Sequence, residues 1–241
     1  KGEFVVYLQP KSALDGKTND VIGAEALVRW YHNDEIISPG KFIPVFEKNG
    51  FVTKLDFYMF REVCKLQKAW KNKGFTPKVV SVNMSRLHFT NPDFVDTLRK
   101  YCEEYDIETK YFEIEITESL FVGDSDRARK FFNDLSNIGV GLALDDFGTG
   151  YSSLSYLTYL PAQKVKIDKS IVDNYLVEGK ESFIQNIVYL VHDLGMKLTV
   201  EGVEQKWQYD KLKEMNCDYI QGYFFSKPMQ AEAVPSFSVA I

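Results

Sequence analysis

Eight side chains stand out as able to do chemistry together: Glu25, Asn83, Glu115, Asp145, Asp146, Lys166, Glu201 and Gln221. Five of the eight are carboxylates, and gathered at one place they would repel one another and hold protons unless cations neutralised them. Carboxylate and amide oxygens without histidine or cysteine suit a hard divalent ion, Mg²⁺ or Mn²⁺, rather than zinc. The adjacent pair Asp145-Asp146 could hold two such ions close together, the arrangement that serves phosphoryl and phosphodiester chemistry. Taken singly, each acid is as much at home capping the next helix. Lys166 alone could be a lysine that stretches its stem along the surface.

The elements that must position these residues are short β-like runs alternating with helical ones. Runs rich in Val, Ile, Leu and Phe lie near 4–8, 21–28, 78–83, 111–117, 140–145, 163–167, 197–200 and 218–224. Between them the spacing predicts helices over 53–72, 92–105, 124–137 and 205–215, and one beginning at Glu181 with Phe183, Ile184, Ile187, Val188, Val191 and Leu194 on one stripe. Eight strands with interleaved helices read as a (β/α)₈ barrel; an open doubly wound sheet is the rival architecture. Alternation sorts the faces. Phe112, Ile114 and Ile116 share one side of their strand, and Glu113, Glu115 and Thr117 share the other. Val165 and Ile167 flank Lys166, Val80 and Val82 alternate with Ser81 and Asn83, and the small residues Gly141 and Ala143 lead to Asp145. The polar faces are expected inside the barrel, with the chemistry at the C-terminal ends of its strands.

The 241 residues fit one barrel domain, and the apolar content of 45% is that of an ordinary globular core. With 29 basic and 34 acidic residues the net charge is −5, which offers no footprint for a nucleic-acid polymer. No run approaches the roughly 18 uncharged apolar residues of a membrane span. The chain starts at Lys1 without methionine and reads as a domain cut from something longer. Cys64, Cys102 and Cys217 form no CxxC pair and suit a reducing cytoplasm as buried small residues. His32, His88 and His192 read as surface or packing residues. The run Asp146-Phe147-Gly148-Thr149-Gly150-Tyr151-Ser152-Ser153 precedes a short helical pattern, Leu154 to Leu160. Its backbone amides could meet an anion, although it matches neither a P-loop nor a dinucleotide fingerprint.

Seven segments then complete a set: Glu25-Ala26-Leu27 with Val28-Arg29-Trp30, Val82-Asn83-Met84-Ser85, Glu115-Ile116-Thr117-Glu118, Asp145-Asp146-Phe147-Gly148-Thr149-Gly150, Lys166-Ile167-Asp168, Glu201-Gly202-Val203-Glu204 and Gln221-Gly222. In this order they resemble the EAL-domain family, and the likeness runs from Tyr7-Leu8-Gln9-Pro10 to Ser226-Lys227-Pro228. The resemblance implies a bacterial phosphodiesterase that opens cyclic di-GMP to linear pGpG on a modified TIM barrel whose first strand is antiparallel to the rest. Carried over by position, it makes Glu25, Asn83, Glu115 and Asp145 ligands of a first ion, with Asp145 also reaching a second. Asp146 and Glu201 belong with the second ion. Glu201 is also the candidate general base, and Lys166 contacts the attacking water. Glu118 and Glu204 support the glycine-rich loop and the metal surroundings. Gln221 bonds to the water or to a ligand, Arg29 grips a phosphate, and Gln9 touches substrate at the rim.

The same resemblance implies Mg²⁺ or Mn²⁺ as cofactor, with Ca²⁺ able to occupy the site without supporting turnover. It implies a homodimer, an upstream sensory or GGDEF domain, and a cytoplasmic location, with membrane tethering of the full-length protein left open. A non-hydrolysing receptor for cyclic di-GMP is the alternative; such members lose acids from the metal set, and none is missing here. The segment Tyr31 to Pro39 is one residue shorter than the family pattern and lacks its glycine, and Val200 stands where alanine is commoner.

Overall fold

The computed structural model describes residues 2–14, 21–33, 35–117, 125–149, 157, 158 and 160–231. Glu118, the end of the glycine-rich run from Gly150 and most of the helix expected over Leu154 to Leu160 lie outside them. Ten strands form one sheet: β1 (Phe4–Ala13), β2 (Val21–His32), β3 (Glu35–Ile37), β4 (Val79–Asn83), β5 (Phe112–Thr117), β6 (Gly141–Asp145), β7 (Lys164–Ile167), β8 (Lys197–Val200), β9 (Tyr219–Ile220) and β10 (Met229–Gln230). Pairing runs β1-β9-β8-β7-β6-β5-β4-β2 and returns to β1, so eight strands close a barrel. β1 is antiparallel to both neighbours, whereas β2, β4 and β5 through β9 pair in parallel. This is the modified barrel that the resemblance implies, and closure rules out the open sheet.

The longer helices among the described residues are α1 (Pro39–Asn49), α2 (Val52–Asn72), α3 (Phe94–Tyr105), α4 (Ser125–Asn137), α5 (Lys169–Tyr175), α6 (Ser182–Asp193) and α7 (Lys206–Glu214). Their apolar stripes cover the outer faces of the strands, as helical spacing demands. Phe60 of α2 stacks on Phe112 with ring centres 4.5 Å apart, and Ile184, Ile187, Val188 and Val191 of α6 are buried. Gln67, in the same buried stripe of α2, donates to the carbonyls of Lys78 and Tyr111 at 2.7 and 3.3 Å. It thereby fixes where β4 and β5 begin. The three cysteines are buried and form no disulfide.

Two helices and two strands were not expected. α1 carries Gly40 and Pro44, which hide a helix from periodicity. α5 has only seven residues, too few for a stripe to show. β3 closes a tight hairpin on β2, with His32 opposite Glu35 and Asn33 at φ +49°, a backbone conformation that asparagine tolerates. β9 is shorter than the expected 218–224 because the chain bends at Gly222, where a Cβ would lie 2.1 Å from the Val203 carbonyl oxygen.

Candidate active site

Because strand side chains alternate, every second residue of each barrel strand enters the interior. The contacts identify which. Ion pairs link strands that are not sheet neighbours, Lys166 of β7 with Glu25 of β2 and Lys11 of β1 with Glu115 of β5, and only the barrel interior permits such reach. The polar faces therefore point inward, as alternation predicts, and the apolar faces meet the helices.

Lys166 is the centre of the upper layer. Its Nζ lies 2.6 Å from Glu115, 2.7 Å from Glu201, 3.2 Å from Asp145 and 3.3 Å from Glu25. Gln221 donates to Glu25 Oε2 at 2.7 Å and to Gln9 Oε1 at 3.2 Å. Asn83 donates to Glu25 Oε1 at 2.8 Å. Asp146 sits beside this group with φ +56°, its backbone N–H donating to Asp145 Oδ1 at 2.9 Å. The turn that follows closes on Asp146, whose carbonyl accepts from the Thr149 hydroxyl at 2.8 Å. Six strands thus bring Gln9, Glu25, Asn83, Glu115, Asp145 and Lys166 to one mouth, with Glu201 just past β8 and Gln221 just past β9.

The electrostatics follow from one ammonium facing four acids in a buried place. Burial works against the charged form of Lys166, but Glu115, Glu201, Glu25 and Asp145 raise its pKa well above the usual lysine range. Burial also works against an ionised Glu25, yet Lys166 and Lys11 hold its pKa down. Glu201 goes the other way: burial and the neighbouring carboxylates outweigh Lys166 and push it up to about 8. Asp146 rises to about 6, through burial first and then the charges of Asp145 and Asp168. Two acids of the group thus hold protons more firmly than an ordinary carboxylate.

Among the described residues no three acids are drawn into a closed metal-ligand group; the point on which they converge holds the Lys166 ammonium. The donor set itself fits a hard divalent ion, being carboxylate and amide oxygen with excess negative charge. Three expected site residues stand apart from the cluster or outside the description. Arg29 lies at the rim, its guanidinium 5.4 Å from the Tyr7 ring centre and bonded to the Val28 carbonyl. Glu204 is exposed and pairs with Lys169 at 2.8 Å. Glu118 lies outside the described residues. The histidines each sit against an acid outside this cluster: His88 against Asp56, His192 against Asp218 and His32 against Glu3.

Beneath the acids lies a second polar layer that the sequence reading did not assign. Lys11 reaches Ser81, Glu113 and Glu115, and Lys164 pairs with Glu113 at 2.6 Å. The signal was available. Gln9 and Lys11 continue the inward alternation of β1 past Pro10, but the expected strand ended at residue 8.

The sequence profile described as EAL domain matches residues 1–228. The chain belongs to the EAL-domain family. Over 232 residues this EAL domain is 35% identical to the bifunctional diguanylate cyclase/cyclic di-GMP phosphodiesterase MucR of Pseudomonas aeruginosa, covering 95% of this chain and 34% of that protein. The cyclic di-GMP phosphodiesterase NbdA of the same organism is 33% identical over 238 residues, 98% of this chain and 30% of NbdA. The EAL domain thus spans about a third of the length of these two curated relatives. A solved structure of the PaMucR phosphodiesterase in complex with c-di-GMP superposes with a TM-score of 0.89 at 34% identity, covering 96% of this chain and 94% of that one.

Proposed function

We propose that this EAL domain hydrolyses cyclic di-GMP to linear pGpG with divalent-metal assistance. The observation that carries the reading is the convergence of Glu25, Glu115, Asp145 and Glu201 on Lys166, with Asn83 and Gln221 attached through Glu25. No acid of the set is lost, which favours turnover over binding alone. Bound Mg²⁺ or Mn²⁺ would supply Lewis-acid charge to the scissile phosphate and to the attacking water. Glu25, Asn83, Glu115 and Asp145 would hold one ion, and Asp145, Asp146 and Glu201 the other.

The chain's own residues do the rest. Lys166, anchored by four acids, orients the water and opposes the negative charge that gathers on the phosphoryl oxygens. With cations bound to keep it ionised, Glu201 would take the proton as the water oxygen bonds to phosphorus; the bond from phosphorus to the 3′-oxygen breaks, and the departing 3′-oxygen takes up a proton from solvent. Arg29 at the rim grips phosphate with a planar fork, and Gln9, fixed by Gln221 and by the Ser226 carbonyl, meets the substrate beside it. Glu204, and with it Glu118, steadies the loops around the mouth. Among the described residues no helix is long and apolar enough to cross a membrane. We place the domain on the cytoplasmic side, working as a dimer under an upstream sensory or cyclase-like domain, in keeping with relatives far longer than this segment.

The test is hydrolysis of cyclic di-GMP with Mg²⁺, Mn²⁺ or EDTA, followed by chromatography, with Glu25→Ala beside the unaltered protein. Metal-dependent appearance of the linear dinucleotide, absent in the variant, is the expected result. Cyclic di-GMP binding without product under all conditions would turn the reading to the receptor alternative.

A further inference from the structure

Lys11 is one of the most completely buried charged residues of the protein, at 2% exposure. Its Nζ lies 2.5 Å from Glu115 Oε1, 2.6 Å from Ser81 Oγ and 3.3 Å from Glu113 Oε1. Glu115 is consequently gripped from two sides, with Oε1 on Lys11 and Oε2 on Lys166 at 2.6 Å. Lys11 cannot drift, because its other partners are themselves tied: Ser81 donates to Glu113 at 2.6 Å, and Lys164 takes the remaining Glu113 oxygen. A carboxylate with one oxygen fixed from beneath has lost rotation about its last bond and presents the other oxygen in one direction, which here is toward Lys166 and the acids gathered on it. We propose that Lys11 is a positioning residue for the metal centre, holding Glu115 so that one oxygen faces the ion. This rests on the metal-dependent reading above.

The rival role is purely structural, an ion pair that neutralises Glu113 in the core. The two roles differ in sign. If Lys11 acted only as a nearby positive charge, removing it would relieve repulsion and tighten cation binding. If it orients Glu115, removing it loosens binding, as loss of a partner behind a ligand usually costs about 10–100-fold in metal affinity.

The experiment is Mn²⁺ titration followed by electron paramagnetic resonance of the free ion, which needs no turnover, with urea unfolding of the same samples. Lys11→Met would leave Glu113 short of a partner, so the decisive variant is Lys11→Met with Glu113→Gln, compared with Glu113→Gln alone and with Lys11→Gln in the Glu113→Gln background. The expected result is Mn²⁺ affinity about tenfold or more weaker in the methionine double variant than in Glu113→Gln, with part of the loss recovered by glutamine, which restores a donor to Glu115. Equal or tighter Mn²⁺ binding in the methionine double variant overturns the proposal. Absence of Mn²⁺ binding by the unaltered protein overturns the metal reading, and the proposal with it; normal substrate hydrolysis alongside an unchanged Mn²⁺ affinity in the variant sinks the role of Lys11 alone.

Discussion

At the scale of single residues, Lys166 and Glu201 are opposite solutions to the same burial. Lys166 stays charged because four acids surround it, whereas Glu201 is crowded by acids of its own sign. Replacing Lys166 with Met would leave those acids without their shared ammonium, and the expected loss is about 3–5 kcal/mol, the usual result of breaking a buried ion pair by removing one partner. Urea unfolding of Lys166→Met without added metal checks it. Glu201→Gln keeps the shape and removes the base. Turnover should fall by about 10²–10⁴-fold while calorimetric binding of cyclic di-GMP persists; unchanged turnover would dismiss Glu201 as base. The acids and Lys166 were legible because each follows a run with strict alternation. Lys11 was not, because Pro10 interrupts the β-like run, and Glu113 was seen to face inward without its partner being visible. Nothing in a linear sequence pairs residue 11 with residues 113 and 115.

At the scale of elements, the helices tighten the barrel through a few tied ends. Asp218, just before β9, accepts from the Leu198 backbone N–H at 2.9 Å and from Lys197 and His192 at 2.7 Å, fastening α6 to β8 and β9. Burial pulls its pKa up, but the Leu198 N–H, Lys197 and His192 prevail and hold it below the ordinary 3.8. A lowered folded pKa means that the contribution to stability is full above the unfolded value and disappears as the pH falls through the folded one. Asp218→Asn should therefore cost about 1–2 kcal/mol at neutral pH, the exposed Lys197 being screened. The gap between variant and unaltered protein should close below pH 3.8, as pH-dependent urea unfolding would reveal. Gly222→Ala belongs to this scale too. The added methyl would strike Val203 backbone atoms at 2.1–2.7 Å, and neither chain can yield easily, so about 1–3 kcal/mol of stability is expected to go. Long helices such as α2 were readable from their stripes. α1 and α5 were not, one being masked by glycine and proline and the other too short to show a period, although Asp168 caps α5 through the Ser170 N–H at 2.8 Å.

At the scale of the whole molecule, a barrel interior lined by lysines and carboxylates gives up part of the apolar filling usual for the architecture. The helices outside must then carry most of the hydrophobic stabilisation. On the metal-dependent reading, Mn²⁺ at a hundred times its dissociation constant should raise unfolding stability by about 2.7 kcal/mol per site. Asp145→Ala should erase that increment in thermal melts. The eight-stranded barrel was readable from eight β-like runs, but the direction of β1 was not: it came from family likeness, since alternation looks the same read either way along a strand. That reversed direction also settles the geography of the chain. In an all-parallel barrel the polypeptide would come in at the floor, far from the chemistry. Here Phe4 pairs with Trp30, beyond the catalytic end of β2, and Gln230 pairs with Tyr7 on the same side. Both ends of the described chain thus lie on the mouth side of the barrel. A segment joined ahead of Phe4 would therefore meet the barrel at its mouth rather than at its floor.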